Sequence, residues 1–166
     1  KQQPVGRTKS LITGEEDIPI TWGVNWEDNA AGTNETGKKD AAVKRYEELI
    51  KNYPGSKFIA DTYVQLGNHY FDIANNLPTA KEMYEKAFSS TQPRIKSYAL
   101  YKLAWCDYNA GEHEKALKKL QEVVDFAEKQ GKTMTDLKNE ALNDMVLMFV
   151  QLNRPDDAMA YFKAHA

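Results

Sequence analysis

The chain has 166 residues, 42% hydrophobic and 28% charged, which suits one globular or solenoid domain and at most two. Its 22 Lys and Arg are balanced by 24 Asp and Glu, so there is no basic excess to hold a nucleic-acid backbone non-specifically. No apolar run approaches the ~18 residues of a membrane span, and the lone Cys106 makes neither an intrachain disulfide nor, without partners, a zinc site.

Residues 1–39 read as an irregular segment. Five glycines, Pro4 and Pro19 interrupt them, and no helical apolar period is present. Ile18–Trp22 is weakly strand-like, with Pro19 confining it to an edge. Trp22 and Trp26, four apart in polar surroundings, are expected to anchor this segment on the rest of the chain; alternatively they hook into a partner or a second copy. With Lys1 first and a helical pattern running to Ala166, the sequence reads as a piece of a longer polypeptide.

From Asp40 onward the apolar period is helical. Breaks at Pro54-Gly55, Asn75-Asn76-Leu77-Pro78, Pro93, Gly111, Gly131 and Asn153-Arg154-Pro155 divide it. Helices are expected near 40–53, 56–75, 78–92, 94–110, 112–130, 134–152 and 155–166, with Thr133 capping the sixth. No strand is expected after residue 40.

The helices repeat a grammar. Tyr63, Leu66-Gly67, Tyr70, Ala80, Tyr84, Ala87 and Pro93 give one unit. Leu100, Leu103-Ala104, Gly111, Ala116, Leu120 and Val123 give the next. Leu142, Met145-Val146, Phe149, Ala158 and Phe162 form a looser third, and Ala42, Tyr46, Leu49 and Pro54 match the second half of an earlier one. The marker alanines Ala42, Ala80, Ala116 and Ala158 are spaced by 38, 36 and 42 residues. Gly67 and Ala104 are small enough for two helices to cross closely against Ala80 and Ala116, with Tyr84, Leu120 and Phe162 filling the space beside each crossing.

This pattern resembles the tetratricopeptide repeat. The resemblance implies an all-α protein: a right-handed α-α superhelix of about three and a half helical hairpins over 40–166, preceded by an irregular 1–39. First helices fall near 56–75, 94–110 and 134–152, and second helices near 40–53, 78–92, 112–130 and 155–166. Every spacing exceeds the family period of about 34 residues. One extra residue is expected in the turn at Asn75-Asn76, and further length in a second helix running to Gly131.

The long repeats and the phrase Tyr98–Cys106 look like bacterial cell-envelope tetratricopeptide proteins, which implies a periplasmic or envelope setting, with the cytoplasm as the alternative. The implied function is a non-catalytic scaffold whose first helices line a groove for an extended segment or helix of a partner protein. The inner positions are then Val64, Asn68 and Phe71, followed by Tyr101, Trp105 and Tyr108, and by Asn143, Leu147 and Val150. Aromatic residues there would serve as anchors; the blander possibility is packing against adjacent repeats. The carboxylate clamp of chaperone-binding relatives is matched only by Asn68, and Glu140 and Asp144 would repel an acidic tail. Two other functions stay open: a docking or regulatory region of a larger enzyme, and self-assembly through the Trp22–Trp26 segment.

The sequence carries no catalytic or cofactor signature. His69, His113 and His165 lie on separate segments without ligand-spaced partners, so no metal or other cofactor is expected. Neither a phosphate-binding glycine loop nor a nucleophile elbow is present. Glu47-Glu48 and Asp156-Asp157 suit solvated helix faces rather than an acid–base pair.

Overall fold

The computed structural model describes residues 35–165. Among these, α1 (Glu35–Asn52), α2 (Ile59–Asn68), α3 (Leu77–Phe88), α4 (Pro93–Asn109), α5 (His113–Gln130), α6 (Thr135–Gln151) and α7 (Pro155–His165) follow one another with no strand between them. The first described helix begins at Glu35, five residues ahead of the helical switch expected at Asp40. Thr36 and Gly37 are weak helix formers, and their propensity does not decide the boundary. Trp22 and Trp26 lie outside the described residues.

The helices pack as successive neighbours, α2 on α3, α3 on α4, α4 on α5 and α5 on α6. Gly67 explains how closely α2 and α3 approach. A Cβ added there would stand 2.5 Å from Cε1 of Tyr84, too near for any side chain but hydrogen. The Tyr84 ring is wholly buried, and its hydroxyl donates to Oδ1 of Asn68 at 2.8 Å. Ala104, Ala116 and Leu120, all fully buried, repeat the crossing between α4 and α5. The largest cluster then joins Leu120 and Val124 of α5 to Met145, Met148 and Phe149 of α6. Each such side chain contributes roughly 1.5–3 kcal/mol by leaving water.

Two turns share one design. After α4, Gly111 takes φ +78°; its N–H reaches the Tyr108 carbonyl at 2.9 Å, and the Glu112 N–H reaches that of Asp107 at 2.8 Å. A left-handed residue closing a helix in this way favours glycine. After α6, Asn153 (φ +52°) and Arg154 make the same pair of bonds, to Val150 and Phe149, each at 3.1 Å. The turn after α2 differs, because the helix widens into a π turn over His69–Ile73. There Ala74 N–H bonds to His69 O at 3.0 Å and Asn76 N–H to Tyr70 O at 2.7 Å. Tyr70 and Asp107 hold equivalent places, three residues beyond Gly67 and Ala104, so the closing bond spans one residue more in the first of these repeats. The additional residue therefore widens the end of the first helix rather than the connecting loop.

The long region after α5 ends in a 3₁₀ turn, Gly131–Met134. Thr133 does not cap α6 as expected. Its hydroxyl donates backward to the Gln130 carbonyl at 3.3 Å, and Met134 occupies the cap position without a side-chain bond.

Among the described residues, one charged side chain lies inside the stack. Asp107 of α4 is fully buried, with Oδ1 accepting from Lys81 of α3 at 2.8 Å and Oδ2 from Lys119 of α5. A buried carboxylate is tolerable only when paired in this way. It ties two second helices to the first helix between them.

Candidate functional site

The residues expected to line the groove divide into three groups. Val64 is corrected outright: it is fully buried with Ala87, Ile95 and Ala99, where α2 meets α3 and α4, and offers no surface. It faces the junction of α3 and α4 rather than the open side of α2. Asn68 is half-buried and engaged with Tyr84. Phe71 is half-buried, its ring 6.5 Å from Tyr84 and capped by the Lys102 ammonium at 4.8 Å.

Tyr101, Trp105 and Tyr108 of α4 form the second group, all half-buried. The Tyr101 hydroxyl donates to Oδ2 of Asp144 at 2.6 Å, and the Trp105 indole N–H donates to the same oxygen at 3.0 Å. Trp105 also stands edge-on to Tyr108 at 5.4 Å, and Tyr108 continues to His113 at 5.0 Å. Burial raises the Tyr101 hydroxyl above its ordinary range, and its bond to Asp144 adds to this. These rings are thus fixed in orientation by one carboxylate from the next first helix while keeping part of their surface open.

The third group, on α6, is open to solvent. Asn143 is exposed, and Leu147 and Val150 remain 46% and 69% accessible. Val146, at the place held by Gly67 and Ala104 in the earlier repeats, is 48% accessible. A branched valine stands where the close crossing needs a small residue, and α7 does not cover it. Helix α7 packs on α6 through Phe149, whose ring lies 5.8 Å from Phe162 and 6.3 Å from Tyr161, while ion pairs from Arg154 to Glu114 at 3.2 Å and from His165 to Glu128 at 3.0 Å link this end to α5.

His165 has carboxylate neighbours that its place in the sequence does not reveal. The ligand atoms of Asp125, Glu128 and His165 lie within 4.8 Å of one another. However, His165 Nδ1 and Lys138 Nζ each stand 3.0 Å from the same Oε1 of Glu128. Bonds from His165 and then Lys138 hold Glu128 below the ordinary carboxylate range. The arrangement is an ion-paired surface cluster joining α5, α6 and α7.

Sequence reasoning missed Asp144 as the shared acceptor of two rings, and the buried Asp107. Their partners lie on other helices, at no fixed spacing. On the far side of α4 a cleft of about 270 Å³ is lined by Phe88, Ser97, Leu100 and Phe126 with Lys96, Lys129, Glu122 and Asp125 at hand.

Stacked helices that bury their faces only against the next pair in sequence define a helical-repeat protein. The tetratricopeptide repeat model matches residues 33–56 and 98–126, covering all of α1 with its following turn, and most of α4 and of α5. With the Gly67–Tyr84 and Ala104–Ala116 crossings, this makes the chain a tetratricopeptide-type helical repeat protein. Separately, 51 residues, 31% of the chain, are 51% identical to the nitrate reductase beta chain of Bacillus subtilis (strain 168). The match covers 10% of that relative's length. Repeats of this type bind proteins, and the all-helical fold is one that typically carries no catalysis. Among the described residues no helix is long and apolar enough to cross a membrane.

Proposed function

We propose that this protein is a non-catalytic scaffold that receives a segment of a partner protein along α4 and α6. One observation carries the reading: Tyr101, Trp105 and Tyr108 stay partly open, beside the exposed Leu147 and Val150, although a closed core lies behind both helices. Tyrosine and tryptophan held rigid at a surface are the side chains that dominate protein interfaces. The setting we propose is a complex of the bacterial cell envelope, on the strength of the long repeats; the cytoplasm is the alternative. The test is Trp105→Ala in the full chain, with partner capture read by cross-linking from Leu147 in the native cell. Loss of the cross-linked partner with an unchanged helical spectrum supports the reading. Retained capture, with loss in a Trp22→Ala, Trp26→Ala variant, overturns it.

A second reading is a docking or regulatory region attached to a larger enzyme. The local match to an enzyme subunit favours it. Sequencing the complete reading frame decides: a catalytic domain on the same polypeptide supports this version, and an uninterrupted array of further repeats removes it.

A further inference from the structure

We infer that the occupant of the α4–α6 face is an extended protein segment bearing lysine or arginine between apolar residues, with its cation at Asp144. The inference rests on the scaffold reading and specifies the partner's chemistry.

Charge supplies the argument. The aromatic stripe of α4 lies between carboxylates on both sides. Asp72, beyond α2, reaches Tyr98 electrostatically, and Glu140 of α6 reaches both Tyr98 and Tyr101. Asp144 stands closest, in contact with Tyr101 and Trp105. Both rings donate to Oδ2 alone, which leaves Oδ1 with no hydrogen-bond partner among the described residues. Asp72 and Glu140 are exposed and make no ion pair among the described residues. Lys102, on the same helix, turns its ammonium to the Phe71 and Tyr84 rings, at 4.8 and 5.9 Å.

Two features then favour a positive ligand side chain over a neutral one. A carboxylate oriented by two donors is a preorganised ion-pair acceptor, since its position is fixed before binding. The exposed Glu140, four residues before Asp144 on the same helix, adds a second negative charge that a cation there would meet. Leu147 and Val150 continue the surface as apolar contact for the residues flanking that cation.

The experiment titrates the full chain with three synthetic peptides that share one apolar framework and carry Lys, Gln or Glu at alternate positions. Binding is followed by the Trp105 indole N–H resonance, which reports on its bond to Asp144. The lysine peptide should bind at least about ten-fold tighter than the glutamine peptide and lose that advantage as salt rises. The glutamate peptide should be weakest. Asp144→Asn keeps an acceptor for both rings, and Glu140→Gln alters an exposed side chain; each should shrink the lysine preference, and together they should abolish it. A preference unchanged in the double variant, or equal binding of all three peptides, overturns the cationic occupant. If that equal binding is lost in Trp105→Ala, the scaffold reading survives. No response to any peptide overturns both. Binding that appears only in the Trp22→Ala, Trp26→Ala variant makes the protein's own leading segment the occupant and overturns the inference.

Discussion

Gly67 of α2 lies directly against the ring of Tyr84 of α3, with room for hydrogen and nothing larger. Gly67→Ala should therefore cost ~1–3 kcal/mol, the usual cost of overpacking, despite the better helix propensity of alanine. Chemical denaturation measures it. Gly67→Ala combined with Tyr84→Leu should recover part of the loss by vacating the ring's space, whereas strictly additive losses would show that the contact is not the cause.

Asp107 gives a prediction with a pH signature. Burial would push its carboxyl up, but the bonds from Lys119 and Lys81 outweigh this and hold it below its ordinary value. A depressed native value means stabilisation that is complete above the unfolded value of ~3.9 and lost as pH falls through the native one. Asp107→Asn should cost ~1.5–3 kcal/mol near neutral pH, towards the lower end because both lysines reach water. Wild type and variant should converge well below pH ~4. A constant gap across that range would exclude the ion pairs as its source.

Cys106 is 1% exposed, and burial, aided by the neighbouring Asp107, pushes its thiol up to about 11. The native protein should not react with a thiol reagent at pH ~8, and labelling should follow global unfolding in denaturant. A raised native value also means that the associated stability is whole below the unfolded value of ~8.5 and declines as pH rises through the native one. Rapid labelling without denaturant would show that α4 opens locally.

The Tyr161 hydroxyl is buried with no hydrogen-bond partner among the described residues, while its ring stacks on His165 at 4.2 Å. Tyr161→Phe keeps the ring and removes the unmet group, so it should be neutral or stabilising by up to ~1 kcal/mol. A clear loss in a thermal melt would point to a partner for the hydroxyl.

What the sequence disclosed was the part of the fold governed by size and period. Ala80, Tyr84, Ala116 and Leu120 occupy the interior because each crossing repeats at near-regular intervals. Gly67 and Ala104 were legible for the same reason. Val64 was not: an inner position by repeat register becomes core where the following hairpin, through Ala87, Ile95 and Ala99, packs over it. The Asp144 tether and the Lys81–Asp107–Lys119 clasp join residues far apart in the chain, where surface and interior charges look alike. Val146 fitted the pattern by hydrophobicity alone, yet it stays 48% accessible where Gly67 and Ala104 are buried. Whether the aromatic face of α4 takes a partner is a question of exposure, which no spacing encodes.

The widened turn at His69–Ile73 bears on how such arrays change length over evolutionary time. A residue added to an ordinary α-helix rotates everything beyond it by about 100° and would swing the next hairpin off its seat. Here the surplus is taken up as local girth before the chain turns. Ala80 still meets the crossing in phase, fully buried beside Tyr84. An array with this provision can gain residues one at a time, and each insertion is contained within the repeat that receives it.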